Sequence, residues 1–513
     1  MPVHMIAKFT ELTTRQVRES LVVLIQQNLA VYAETQEKTR IMTYYEVNRV
    51  EILHRAMIPK VLFSSQEWFE REGAVVAQSI LTHGKLTITD CIEDILKSTG
   101  TAAGRSATQR TMAIKKVFTK MVKEKCLIAV RPADSLTAAD RDMVEEKRET
   151  DKLAMPPTAA QKAEIRRTIE SKRAGLEGGN QIMGLKRTLD TVDDDDWEMD
   201  KRRKLTTSDV QIVDEVEEDV YFKINFERYT IRWRNAKIAE MFESRLNLTA
   251  KKIVETILKL AEDRMINCKE EHSSAVNVMM LFNRLPSDVN MVGTLEDARD
   301  SPVNSEAGEC LDKYMDLLEE DRLEIVRKFQ GRSGQYTVLL QKAAKVMRKK
   351  LIQDVVTSRF GLPYVRIMNM LLEKGKLEEK MISKFSMMPV KDVREKLTTL
   401  CTFGVLNLQE VPKTQERAPS RTFYLWEVVE DRAAMTIVDR LYQTMANLRQ
   451  RRFVERSKRA VLLAKTERTD VKENAALLND AETRELDTLN AVLEKLEIQE
   501  LRVAEMVLVL RDF

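Results

Sequence analysis

The sequence predicts a mainly α-helical chain with small β-hairpins: four tandem, extended winged-helix domains followed by a C-terminal α-helical coiled coil. Three observations lead there. Hydrophobic residues are 43% and charged residues 32% of the 513, with only 15 Gly and 11 Pro, which suits helices with charged outer faces. A helix followed by a hairpin recurs, most plainly over Met387–Val428, where Val390, Val393, Leu397, Leu400 and Cys401 share one helical face and Gly404 can end the helix. From Leu486 the chain keeps an apolar seam, Leu486, Leu489, Leu493, Leu496, Val503, Val507 and Leu510, which only Glu500 breaks.

A chain of this length exceeds one hydrophobic core. Its 84 basic and 81 acidic residues leave a formal charge of +3, so any nucleic-acid contact must come from local clusters rather than from bulk charge. The cysteines, Cys91, Cys126, Cys268, Cys310 and Cys401, are scattered without a C-x-x-C pair, the usage of reduced structural thiols. The opening MPVHMIAKFTELTTRQ lacks a secretory pattern, and no apolar run is long enough to span a membrane. The four histidines, His4, His54, His83 and His272, share no motif, and no Walker loop, G-x-S-x-G or H-E-x-x-H occurs. The Asp193–Asp196 run reads as a solvated acidic tract. No catalytic residue, metal site or cofactor is expected.

The elements follow in order. In residues 1–60, Thr13 or Thr14 can cap a helix carrying Val17, Leu21, Leu24 and Ile25, and a hairpin over Leu29–Tyr32 and Ile41–Val47 follows. Too few residues precede Thr13 for two earlier helices, so this first unit is expected to be shortened and less stable. Residues 61–131 hold a second unit: a helix around Trp68–Leu81, a short strand or link at Leu86–Ile88, a helix capped by Thr89, a third started by Ser106 or Thr108, and a strand over Cys126–Val130. A charged insertion over 132–215 interrupts it and is expected to be flexible, apart from a solvent helix within Thr137–Ala174. Residues 216–234 then complete the wing, through a strand over Tyr221–Phe226.

The third unit spans 235–340, with helices over Ala236–Leu246, Ala250–Glu262, Ser274–Leu285 and Cys310–Leu318 and a hairpin turning at Gly331 and Gly334. The fourth spans 341–430, with Pro389 at the first position of its last helix. Residues 431–513 read as a coiled-coil hairpin, a helix from Met435 to about Thr466 folding back on the heptad.

Candidate nucleic-acid contacts are Arg105, Arg110, Lys115, Lys116, Lys120 and Lys123, at the third helix of the second unit, with Arg15 and Arg18 in the first. Lys391, Arg394 and Lys396 alternate with acids and fit a protein contact better. Lys186, Arg187, Lys201, Arg202, Arg203 and Lys204 have the spacing of a split nuclear import signal. The stripe Arg449, Arg451, Arg452, Arg456, Lys458 and Arg459 reads either as a contact to nucleic acid or an acidic partner, or as a solvated coiled-coil face. Trp68, Trp233 and Trp426 fit core or interface anchors.

The segments ILTHGKLTITDCI (Ile80–Ile92), YFKINFERYTIRWRNAKIA (Tyr221–Ala239) and LQEVPKTQERAPSRTFYLWEV (Leu408–Val428) resemble parts of the third-subunit family of RNA polymerase III, with Ala418–Leu425 the most specific piece. The resemblance runs in order over nearly the whole chain and departs from the family at the shortened start. It implies four extended winged helices and a coiled-coil hairpin, distantly related to the large subunit of TFIIE. It further implies a nuclear, non-catalytic subunit on the polymerase clamp, in a heterotrimer with two smaller subunits. Its implied partners are the other polymerase subunits, the initiation factor TFIIIB and melted promoter DNA, with no membrane. The products would be transfer RNA, 5S ribosomal RNA and other small RNAs.

Overall fold

The computed structural model describes residues 1–37, 40–98, 105–151, 164–168, 184–189, 212–286, 289, 307–329, 334–413, 422–473 and 478–513. They form two compact units, Met1–Tyr229 and Thr230–Phe513.

The N-terminal unit opens with helices Val3–Thr10 and Thr14–Gln26. Thr13 caps the second: its hydroxyl accepts from the Gln16 amide at 3.3 Å while Gln16 Oε1 accepts from the Thr13 amide at 3.1 Å. Strands Ala30–Glu37 and Arg40–Val47 pair antiparallel from Ala30↔Val47 to Glu37↔Arg40. Short helices from Arg49 lead into the long helix Ile58–His83. Gly84 ends it at φ 86°, where a Cβ would lie 2.4 Å from the Gln26 carbonyl oxygen, so only glycine fits. The following helix, Ile88–Ser98, is capped by Thr87 rather than Thr89: the helix starts two residues earlier than a Thr89 cap requires, and the Asp90 amide donates to Thr87 Oγ1 at 3.2 Å. The third helix is Arg105–Lys123.

Strand Leu127–Ala129 pairs with Phe222–Ile224, and Leu86 bridges Phe222, so strands on either side of the insertion meet. Phe118 and Phe222 pack edge to face at 5.3 Å within a core that includes Ile80, Ile95, Ile114 and Met121. The insertion between them has regular elements of its own. Thr137 caps the helix Ala138–Thr150, and Leu185–Leu189 pairs with Ile212–Val216. Leu136 bridges Tyr32 in parallel, and the Thr137 amide donates to the Tyr32 carbonyl at 3.0 Å, so the insertion begins by extending the first hairpin.

The helix Phe226–Arg245 contains the division between the units, and the boundary expected at 234/235 falls inside it. Between Asn225 and Arg245 there is no Gly or Pro to stop a helix. In the C-terminal unit, Asn247 caps Leu248–Glu262 through the Ala250 amide at 2.8 Å. The helix expected over Ser274–Leu285 is instead a strand, Val276–Asn277, and then a shorter helix, Val278–Arg284. Asn277 Oδ1 accepts from the Met279 amide and stops the helix from starting earlier. Helix Ala307–Glu319 follows, and Gln335–Val338 lies between Val276–Asn277 and Val326–Lys328 in a three-stranded sheet.

Helices Leu340–Phe360, Leu362–Lys374, Glu379–Ser386 and Val390–Phe403 come next. Pro389 is the N-cap of the last, not its first helical residue. Strand Thr422–Val428 lies between Leu377–Glu378 and Leu406–Pro412 in a sheet that covers a core built on Ile367, Met368, Leu371, Val393, Leu397 and Trp426. Residues Ala418–Arg421 lie outside the described ones. Gly404, at φ 90°, lets the chain pass Thr436, whose Cγ2 would be 2.6 Å from a Cβ.

Helix Glu430–Lys458 starts five residues before Met435 and stops at Arg459, where Ala460–Thr466 begins; Thr469–Glu473 and Asp480–Val507 follow. On Asp480–Val507 and the turn after it, Leu489, Glu500, Val507 and Leu510 are buried, and Leu486, Leu493, Leu496 and Val503 are half-buried. The helix packs against Glu430–Lys458 of the same chain.

Candidate nucleic-acid interface

The helix Arg105–Lys123 is positioned by its buried side, Ile114, Phe118, Met121 and Val122. That side holds the opposite face outward, and Lys116, Lys120 and Lys123 recur along it at helical spacing with Lys115 at its edge, all exposed. Lys115 Nζ lies 4.0 Å from Glu218 Oε1, and Lys120 Nζ lies 5.4 Å from the Phe69 ring centroid. Arg110 is half-buried. Arg105 is the first residue of the helix, and its side chain is outside the described ones. A row of exposed ammonium groups on a rigid helix can follow a phosphate backbone without reading its bases.

Arg15 and Arg18 are exposed on Thr14–Gln26, but Arg15 Nε is held by Glu19 Oε1 at 2.9 Å. On Val390–Phe403, Arg394 pairs with Glu379 at 3.0 Å and Lys396 lies 5.7 Å from the Tyr364 ring centroid, so these charges are locally engaged. Lys186 lies in strand Leu185–Leu189, with Nζ 4.0 Å from Glu217 Oε1, so this part of the insertion is a paired strand rather than a flexible loop. The side chain of Arg187, the run Lys201, Arg202, Arg203 and Lys204, and the Asp193–Asp196 tract lie outside the described residues.

The basic stripe on Glu430–Lys458 is largely used within the chain. Arg449 and Arg452 converge on Glu500, Arg452 at 3.3 Å, which accounts for the one acid in the apolar seam. Arg452 and Arg456 also reach Glu497, and Arg459 reaches Glu485 at 3.3 Å. Arg459 and Lys458 hold the buried Glu455 carboxyl below the usual carboxylate range, and Arg451 lies 3.0 Å from it.

A further cationic stretch, absent from the expectations above, lies on Leu340–Phe360. Lys342 pairs with Glu324 at 3.1 Å and Arg348 donates to the Phe513 carbonyl, but Lys345, Lys349 and Lys350 form no ion pair among the described residues. The signal was present: Lys342 to Lys350 carries five cations, and Asp354 is the helix's only acid.

Three of the four tryptophans are anchors. Trp68 stacks on Tyr229 at 5.3 Å, while Trp233 and Trp426 are buried. Ser65 Oγ lies 2.8 Å from the Tyr229 hydroxyl. His54 stacks on Phe226 and His83 lies 3.8 Å from Asp94, so neither converges on a common centre. Among the described residues no group of three or more His, Cys, Asp or Glu is placed to hold a metal, and no helix is long and apolar enough to cross a membrane.

Three family models match the chain: "RNA polymerase III subunit RPC82" over 116–347, the "POLR3C, C-terminal winged-helix domain" over 352–428, and the "RNA polymerase III subunit RPC82 helix-turn-helix domain" over 1–35. The chain is similar to DNA-directed RNA polymerase III subunit RPC3 of Danio rerio, 25% identical over 99% of this chain and 92% of the relative. It is 25% identical to RPC3 of Homo sapiens over 100% of this chain and 92% of the relative. With the fungal rpc3 of Emericella nidulans it shares 24% over 98% of this chain and 93% of the relative.

Proposed function

The chain belongs to the family of third subunits of DNA-directed RNA polymerase III, and from that premise we propose that it is a non-catalytic component of the nuclear enzyme that works at initiation. In this reading it sits on the clamp in a heterotrimer with two smaller subunits, helps recruit TFIIIB and helps open promoter DNA for synthesis of transfer RNA, 5S ribosomal RNA and other small RNAs. The observation that carries the reading is similarity that extends over essentially the whole chain to subunits of that name. The exposed face with Lys116, Lys120 and Lys123 supports a sequence-independent contact to melted DNA, because ammonium groups at helical spacing meet phosphates and not base edges. The heptad seam is engaged by Glu430–Lys458 within the chain, which weighs against a regulator that dimerises through it.

Affinity purification of the tagged full chain tests the assignment. Stoichiometric recovery of the polymerase III subunits is expected; a homodimer free of polymerase subunits overturns it. The DNA contact has a separate test. In K116E/K120E/K123E the affinity for a bubble-containing duplex should fall, and the slope of log affinity against log salt should decrease by about two to three. An unchanged slope would assign these lysines to solvent.

A further inference from the structure

Helix Leu362–Lys374 and the turn after Glu379–Ser386 enclose an open groove of about 690 Å³, lined on its apolar side by Leu362, Val365, Met370, Phe385 and Met388. Met387, the neighbour of lining residue Met388, is in the left-handed region at φ 55° and is 86% exposed. Glycine or asparagine takes that helix-ending conformation with less strain, and methionine there both strains the backbone and puts a large apolar group in water. Leu362 repeats the pattern, being 73% exposed at the start of its helix. Neither exposure helps this unit fold.

We propose that this groove is the docking site for one amphipathic helix of another polypeptide, with large apolar residues on its inner face and acidic residues on its flanks. The occupant is a helix because the groove is lined by helix Leu362–Lys374 and by the turn between helices Glu379–Ser386 and Val390–Phe403. Among the described residues none that lines it belongs to a strand, so a docked backbone must satisfy its own hydrogen bonds. Its flanks are acidic because Arg366 and Lys374 outnumber Glu373 in the lining, and Lys384 stands exposed next to Phe385. Arg366 and Lys384 form no ion pair among the described residues, and Lys374 Nζ rests 3.4 Å from the Phe385 ring centroid, joining the cationic rim to the apolar floor. Methionines suit such a floor, since their unbranched side chains adapt to a partner's shape. The proposal goes beyond the polymerase reading and does not need it.

Two synthetic helical peptides test it on the full chain by fluorescence anisotropy. Both carry leucines at i, i+4 and i+7; one has glutamate flanks, the other lysine flanks. The glutamate peptide should bind at least about tenfold tighter than the lysine peptide. Leu362→Glu should abolish binding, and Arg366→Glu should remove the preference between the peptides. Met387→Gly should weaken binding while raising the melting temperature, a pair of changes that a purely structural methionine would not give. Absence of binding, equal binding of both peptides, or variants that bind like the parent overturn the proposal. So does oxidative footprinting that finds the Met387 side chain already shielded in the isolated chain, whether by a second copy in a dimer or by a segment of the chain itself. None of these outcomes bears on whether the chain co-purifies with the polymerase.

Discussion

Arg234 has no exposed surface, yet it carries a guanidinium. Its Nη1 donates to the Cys268 carbonyl at 2.6 Å, and its Nη2 donates to Asn235 Oδ1 at 3.0 Å and lies 3.1 Å from Met265 Sδ. Burial pushes its pKa down, and the nearby Glu270 and Glu262 push it back up. The side chain thus ties a helix to the loop after its neighbour through a fork that lysine cannot reproduce. Arg234→Leu would remove the guanidinium that donates to the Cys268 carbonyl and to Asn235 Oδ1, and a loss of about 2–4 kcal/mol is expected in urea unfolding of the full chain. Arg234→Lys should recover only part of it. Cys91 shows burial acting on a thiol: burial pushes its pKa up to about 11, partly offset by its hydrogen bond with Ser79. The unfolded chain gives up this proton near pH 9, the folded chain near 11. Stability from this group is therefore intact below about pH 9 and falls as pH rises toward 11, by up to about 1.4 kcal/mol per unit. Denaturation at increasing pH should show that slope, and Cys91→Ala should lack it. At neutral pH iodoacetamide should label half-buried Cys401 well before Cys91.

The pair of helices Glu430–Lys458 and Asp480–Val507 shows what a single acid does inside a seam. Glu500 is 9% exposed, and Arg449 and Arg452 reach it from the facing helix. These arginines keep much of their own surface in water, so the network is worth far less than a fully buried pair. A double-mutant cycle with Glu500→Gln and Arg452→Gln should give a coupling of about 0.5–1 kcal/mol, falling with added salt. A coupling near zero would make the acid a tolerated defect rather than a lock on register. This element also marks how far the sequence could be read. The seam was legible because one helix face repeats an apolar pattern, and Glu500 stood out in it. What it paired with was not, because ion pairs join residues about fifty positions apart, and nothing in a one-dimensional pattern gives that distance. The same limit made Arg449–Arg459 look open to a partner. The strands on either side of the insertion were visible because Cys126–Val130 and Tyr221–Phe226 both carry strand residues. The cap at Thr87 and the strand at Val276–Asn277 were missed because element ends depend on single hydrogen bonds. The groove beside Met387 was invisible for a related reason: the strain at Met387 is a backbone angle, which no apolar pattern encodes.

Across the whole molecule the buried apolar surface is unevenly spread, and local stability should follow it. Helix Val3–Thr10 has no buried residue, and Thr14–Gln26 buries only Val17 and Leu21. Phe9, Leu12, Val22 and Val23 face water. By contrast, the core around Val390–Phe403 gathers fully buried side chains from several helices and a sheet, Ile367, Val393, Leu397 and Leu400 among them. Since each buried apolar side chain contributes about 1.5–3 kcal/mol, the first two helices should open at a small fraction of the cost of opening that core. Native-state hydrogen exchange of the isolated chain should therefore find residues 3–26 exchanging well before residues 390–403. Val17→Ala removes one of the few anchors of the first helices and should speed exchange over 3–47 while leaving 390–403 unchanged. Uniform protection in the isolated chain, or a Val17→Ala effect felt equally at Val390–Phe403, would mean that the chain opens as one cooperative body.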